Sequence, residues 1–306
     1  MVELLHYGHR MYDVVIVGGG PAGLSAALML GRCRRRVLVC DLGEPRNRRS
    51  HALHGYLTRD GIAPAQLTAL GREELQPYGI EFRRIGVTDA AWRADRFQLT
   101  LGNGSEEARY LLLATGVVDD LPAVSGLDEC YGRSVFHCPY CDGWEWRDRK
   151  LAVLGRGREA GQMALALKTW SADIIYCTNG ARLDPATRDR LARNDVAVKT
   201  APIARLDHVD GALSAIALAD GELLPRDALF FHTAQHPQSD LAARLGCTLT
   251  RGGTVNTGNG CDTNVPHVFV VGDASRDAQF VVVAAAEGVK AAVTINKALQ
   301  RQELRT

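Results

Sequence analysis

Residues 13–41 read DVVIVGGGPAGLSAALMLGRCRRRVLVCD. Val14 to Val17 is a short apolar run of the kind a parallel strand buries on both faces. Gly18, Gly20 and Gly23 follow in the G-x-G-x-x-G spacing, with Pro21 and Ala22 inside it. An apolar helical pattern then leads to a second strand at Val37 to Cys40, and Asp41 closes the series 41 − 18 = 23 positions after the first glycine. Gly18 suits a tight turn, Gly20 lets backbone approach a pyrophosphate, and Gly23 lets helix pack on strand. The helix N-terminus offers unpaired N–H groups and partial positive charge to that pyrophosphate. Asp41 is placed to bond ribose hydroxyls. Glycines alone would be weak, but the full series of strand, glycine turn, helix, strand and acid predicts a dinucleotide-binding unit.

The series recurs 137 positions later. Residues 151–178 read LAVLGRGREAGQMALALKTWSADIIYCT. Leu151 to Leu154 repeats the first strand, Gly155, Gly157 and Ala160 repeat the three small residues, and Ile174 to Cys177 repeats the second strand. Alanine is an accepted third member. Thr178 stands where the repeat calls for the acid. The predicted fold class is therefore α/β, with two Rossmann-like dinucleotide-binding domains of the three-layer ββα type. An NAD site uses an acid at the end of the second strand and an NADP site an arginine. The text CTNGARLD at 177–184 supplies neither at that position, and Arg182 is the nearest base. Either nicotinamide binds through other contacts or the second unit no longer binds it well.

A chain of 306 residues, 46% hydrophobic and 23% charged, suits two ordinary cores. Its net charge of +1 makes no electrostatic case for nucleic acid or an acidic membrane surface. No apolar run approaches the ~18 residues of a membrane span, and MVELLHYGHRMYD lacks the basic start and apolar core of a signal peptide. A cytoplasmic protein is expected. The eight cysteines are scattered except for Cys138 and Cys141 in FHCPYCDGWE. In a reducing compartment that pattern argues against a disulfide framework and singles out the pair. Zinc needs about four ligands, and neither a second CxxC nor a Cys/His pair lies near, so no metal is expected. CPYC is also glutaredoxin text, but here it lies between two dinucleotide units.

Two further strands end in turns. Leu111 to Leu113 runs into Ala114-Thr115-Gly116, and Val268 to Val271 into Gly272-Asp273. An Ala/Val-rich helical stretch follows from about Gln279 to Ala298. An acid after a strand can bond a polyol, and a helix N-terminus can face an electron-rich ring edge. On that logic Asp273 holds the ribityl chain of a flavin, with the backbone of Gln279 and Phe280 at its pyrimidine end. Arg46, Asn47 and the stretch 51–61 are expected on the flavin side of the first domain, with His51 and His54 as substrate contacts.

The chain resembles the low-molecular-weight thioredoxin reductases, FAD-dependent pyridine nucleotide-disulfide oxidoreductases. The matching text is GGGPAG at 18–23, LLLATG at 111–116, CPYCDG at 138–143, GRGREA at 155–160 and VFVVGD at 268–273, in the family's order. The resemblance implies a discontinuous FAD domain, residues 1–117 and 247–306. An inserted NAD(P)H-type domain, 118–246, would carry the CxxC. It implies that Cys141 exchanges electrons with FAD, that Cys138 meets the substrate, and that Asp142 moves the proton. It also implies a homodimer. His137 departs from the commonest reductase text; it would favour a thiolate, act as a second base, or simply pack.

A second departure is FFHTAQHPQ at 230–238, where Ala234 replaces a family glycine near the nicotinamide site. With the loss at Thr178, this makes NAD(P)H binding through Gly155, Gly157 and Ala160 an open question. The implied activity is thiol–disulfide exchange coupled to FAD, with a thioredoxin-like protein or a small dithiol or disulfide as partner. The alternatives within it are a ferredoxin-fed reductase and a dithiol oxidase that uses oxygen, of the gliotoxin and holomycin type. A non-catalytic flavoprotein redox sensor is the reading from another class.

Overall fold

The structure is a computed structural model describing residues 11–102, 104–275 and 278–304. The chain forms two compact units. The first comprises Met1–Arg46, Ala65–Val118 and His236–Thr306, and the second Asn47–Pro64 and Asp119–Gln235.

In the first unit, Tyr12–Val17 is the central strand, flanked in parallel by Val37–Cys40 and Gly104–Leu113. Glu81–Arg83 extends the sheet on one side, and Val268–Val270 pairs in parallel with Gly104–Leu113. The strands Val87–Arg93 and Arg96–Leu101 join Gly104–Leu113 as an antiparallel meander. Every strand residue from Val14 to Val17 is apolar because the sheet is covered on both faces. Val14 and Ile16 pack with Ala22, Ala26, Ala291 and Ile295 of the two long helices, Pro21–Arg32 and Val281–Glu303. Val15 and Val17 pack on the opposite face with Phe97, Leu99 and Leu241. Three layers result, as the alternation requires. The helices pack backbone to backbone: a Cβ at Gly288 would lie 2.1 Å from the carbonyl oxygen of Ala22.

The second unit has a five-stranded parallel sheet in the order Ala197–Lys199, Ile174–Cys177, Leu151–Leu154, Ala228–Phe231, Val135–Phe136. A three-stranded antiparallel sheet, Ile203–Val209, Ala212–Leu218 and Leu223–Pro225, covers one face. The repeat holds at the level of strand register. Val14 pairs with Val37 and Leu151 with Ile174, and both offsets are 137 (151 − 14 and 174 − 37).

The units depart from the expected boundaries at two places. The chain returns to the first unit at His236, ahead of the expected 247, because Leu241 and Ala242 of the short helix Leu241–Arg244 are buried in its core. The segment 47–64 groups with the second unit, whereas the expected boundaries put it in the first. Arg49 pairs with Asp128 and lies over the ring of Tyr131, while His54 faces Glu145. These partners are more than 70 residues away in sequence, so no local pattern announces them.

Candidate functional site

The first glycine turn has the shape its residues demand. Gly18 sits at φ +112°, and a Cβ there would lie 2.2 Å from the Ala114 carbonyl oxygen. A Cβ at Gly23 would lie 1.9 Å from the carbonyl oxygen of Gly18. Gly20 differs, since a Cβ there would meet nothing within 4 Å. It caps the helix Pro21–Arg32, which has no side-chain cap and no acid in its first turn. The space beside Gly20 is open, as close approach of a pyrophosphate requires. Asp41 accepts the Gly19 N–H through Oδ1 at 2.9 Å, which orients its carboxylate at the end of the second strand.

The other residues predicted for the cofactor lie in the same unit. Ala114 donates its N–H to Val17, and Gly116, at φ +67°, accepts from the Gln238 N–H. Between them, Thr115 ends the same strand turn. Arg46 donates to Asp273 at 2.9 Å and to Gln279 at 2.6 Å. This joins two elements far apart in sequence. Phe280 caps the helix Val281–Glu303 without a side-chain hydrogen bond. Gly272, at φ +72°, donates its N–H to Glu287, a carboxylate only 5% exposed. The sequence reading missed Glu287, because an acid inside an Ala/Val-rich helix carries no motif. Open glycine turn, oriented acid and uncapped helix ends together fit FAD.

In the second unit, Cys138 and Cys141 form a disulfide with Cα atoms 5.3 Å apart. They flank a single helical turn, Pro139–Asp142, with Cys138 as its N-cap and Pro139 in the first position. The Cys141 N–H donates to the Cys138 sulfur at 3.1 Å. One turn has little macrodipole, so this direct contact is the chief local bias toward a Cys138 thiolate. Asp142 is pushed up to about 7, first by burial and then by the negative charge of Glu145, with His54 opposing. His54 lies 3.5 Å from both Glu145 and Asp60. His137 places Nδ1 3.0 Å from the Tyr131 hydroxyl, which donates to Asp119 at 3.1 Å. Beyond the disulfide, Asp142 has Glu145 and His54 as charged neighbours, and His137 has Tyr131 and through it Asp119. Of His54, Glu145, Tyr131 and Asp119, only His54 was singled out in the sequence. Among the described residues no group of three or more His, Cys, Asp or Glu side chains is placed to hold a metal ion. No helix among them is long and apolar enough to cross a membrane.

The second glycine turn keeps its spacing but not its shape. Gly157 opens the helix Gly157–Ala166 at φ +71°, Arg156 is the cap, and Glu159 puts an acid in the first turn. The buried Tyr176 donates its hydroxyl to the carbonyls of Gly155 and Gly157. Ala160 is buried beside Gly155. At the ribose position Thr178 is 1% exposed and its Oγ1 has no hydrogen-bond partner. Asn179 accepts the Ile203 N–H, and Gly180 donates to Thr200. The turn is committed to the fold and presents no basic side chain at these three positions. Arg182 and Ala234 are exposed.

The pyridine nucleotide-disulphide oxidoreductase family matches residues 12–288. The chain belongs to that family. Pyridine nucleotide-disulphide oxidoreductases of this kind are FAD-dependent, and the chain is an oxidoreductase of the thioredoxin reductase-like branch. It is 33% identical to a probable thioredoxin reductase of Arthroderma benhamiae, over 88% of this chain and 75% of the relative. The solved structure of HlmI superposes with a TM-score of 0.92 at 36% identity, covering 96% of this chain and 94% of HlmI. A putative thioredoxin reductase TrxB from Bacillus anthracis superposes at 0.91 with 29% identity, covering 96% and 100%.

Proposed function

We propose that the protein oxidises dithiols, passing two electrons from a dithiol substrate through the Cys138–Cys141 disulfide to FAD. The observation that carries the direction is the turn after Ile174–Cys177. Thr178 is buried, Asn179 and Gly180 are spent on backbone partners, and no acid or arginine occupies the ribose position. The redox pair, by contrast, is complete, with its own acid in Asp142.

The exchange balances on the chain's own residues. A substrate thiolate attacks Cys138 Sγ, the Cys138–Cys141 bond breaks, and Cys141 leaves as a thiolate. The second substrate thiol then displaces Cys138 from the mixed disulfide, so the substrate leaves as a disulfide and both cysteines are reduced. Asp142, with an affinity for protons near neutrality, takes and returns the proton. When bound, FAD would supply the two-electron acceptor chemistry for the reduced Cys138–Cys141 pair, with oxygen as the final acceptor. His137 belongs to the same site as a second base.

The second reading is reduction of a thioredoxin-like protein with NADPH or ferredoxin as donor. The retained Gly155, Gly157 and Ala160, and the names of the relatives, favour it. Anaerobic stopped-flow mixing separates the two. Slow flavin bleaching by NADPH and NADH, fast bleaching by dithiothreitol and recovery in air with peroxide formation support dithiol oxidation. Fast bleaching by NADPH overturns it in favour of the reductase direction. A cytoplasmic homodimer is part of the same proposal; light scattering on the holoprotein tests the assembly.

A further inference from the structure

We infer that Trp170 is a positioning residue of the redox pair: its indole holds Tyr140 and Gly143, on either side of Cys141 and Asp142, and keeps the turn Pro139–Asp142 shaped for disulfide closure when both thiols are reduced. This rests on the reading of Cys138–Cys141 as the redox pair. Two contacts place the indole. The Tyr140 ring meets it edge-on, with centroids 5.6 Å apart and planes at 86°. A Cβ at Gly143 would lie 2.8 Å from Cδ2 and 3.0 Å from Cε3 of Trp170, so the backbone of this buried glycine rests on the six-membered ring. The same Cβ would lie 2.5 Å from the Pro139 carbonyl oxygen, which accepts the Gly143 N–H at 2.8 Å. Glycine allows that double approach because it has no side chain. Trp170 is itself held. It follows the helical turn Leu167–Thr169, donates its N–H to Leu167 at 2.9 Å and accepts the Asp148 N–H at 2.9 Å. Its neighbour Ser171 donates its hydroxyl to the Arg149 carbonyl at 2.5 Å. The indole packs on the buried cluster that contains Phe136, Leu167 and Phe230.

In the oxidised protein a covalent bond closes the turn. Reduction removes that bond. The hydrogen bonds from Cys141 to Cys138 and from Gly143 to Pro139 are internal to the turn, whereas the indole joins it to the core. A turn held from outside keeps its two sulfurs close after reduction, so closing the disulfide again costs little further ordering. Without the indole the reduced turn gains freedom, and the balance moves from disulfide toward dithiol.

The test equilibrates the holoprotein, without oxygen, in mixtures of reduced and oxidised dithiothreitol. Alkylation and peptide mass spectrometry then give the fractions of Cys138 and Cys141 in the disulfide. The exchange makes one disulfide and two thiols from one disulfide and two thiols, so it balances with no further oxidant. In Trp170→Ala the ratio of disulfide to dithiol at a given mixture should fall about tenfold, or roughly 30 mV. Trp170→Phe keeps a ring against the turn and should recover most of that loss. Packing that serves stability alone would lower the melting temperature and leave the ratio at its wild-type value, which overturns the inference. Tyr140→Ala supplies the second arm. Tyr140 is 73% exposed, so this variant leaves the core intact while removing one of the two contacts. Its ratio should fall in the same direction, and an unchanged ratio overturns the inference even where Trp170→Ala does not fold. A wild-type pair that dithiothreitol does not reduce overturns the redox reading, and this inference with it. A pair that titrates alike in the wild type and in Trp170→Ala overturns this inference alone.

Discussion

The backbone N–H of Cys141 donates to the sulfur of Cys138 at 3.1 Å. The first cysteine of the pair is therefore also the cap of the turn that carries the second. After reduction the same N–H is aimed at the Cys138 sulfur, where a charged acceptor makes the stronger bond. In the proposed exchange, that bias suits Cys138 to meet the substrate.

Single replacements should separate the two sulfurs. In Cys141→Ser, Cys138 is left without its partner and should trap a substrate thiol as a mixed disulfide, seen as added mass under non-reducing conditions. Cys138→Ser should trap far less. Equal trapping, or the reverse preference, would assign the roles the other way.

Asp142 ties activity and stability to pH. Its folded affinity for protons, near 7, lies above the ordinary 3.8. Between those values the native chain holds a proton that the unfolded chain has released, so stability falls as pH rises toward 7. The slope is about 1.4 kcal/mol per pH unit, or on the order of 3 kcal/mol between about pH 5 and pH 7. Asp142→Asn should flatten this slope in denaturant titrations and slow thiol exchange on the order of 10²-fold. A parallel slope in the variant would place the proton elsewhere.

Gly20 and Gly18 should respond differently to alanine. Gly20→Ala adds a methyl group to open space at φ −75°, so its melting temperature should stay close to wild type while FAD retention falls. Gly18→Ala collides with the Ala114 carbonyl and forces a positive φ, so both stability and FAD should be lost. The ratio of flavin to protein absorbance after purification, with a thermal melt, measures both.

Alkylation of the reduced native protein should single out the working thiols. Cys40, Cys130, Cys177, Cys247 and Cys261 are buried, and burial pushes Cys40 and Cys177 up to about 12. Iodoacetamide at mildly alkaline pH should label Cys138, Cys141 and the half-exposed Cys33, with the other five labelled only after unfolding. Peptide mass spectrometry reads the pattern directly.

Much of this molecule was legible in its sequence because the determining physics is local. Apolar runs, glycine sterics and a repeat of 137 positions announced the core strands of both dinucleotide-type units, which the structure pairs in the same register, Val14 on Val37 and Leu151 on Ile174. The text CPYCDG at 138–143, through the family it resembles, implied a redox pair at a helix start, and the structure joins Cys138 and Cys141 across one capped turn. Tertiary structure decided the rest. Asp142 reads like any acid in the text CDGW; its proton affinity comes from burial and from Glu145 and His54. His137 meets the Tyr131 hydroxyl, itself bonded to Asp119, only in the fold. The second glycine turn has the letters of the first yet another shape, because Tyr176 and Ala160 pack against it. Spacing along a chain records backbone geometry. It does not record which distant side chains will exclude water from a carboxylate or orient a ring, and those set the chemistry of the site.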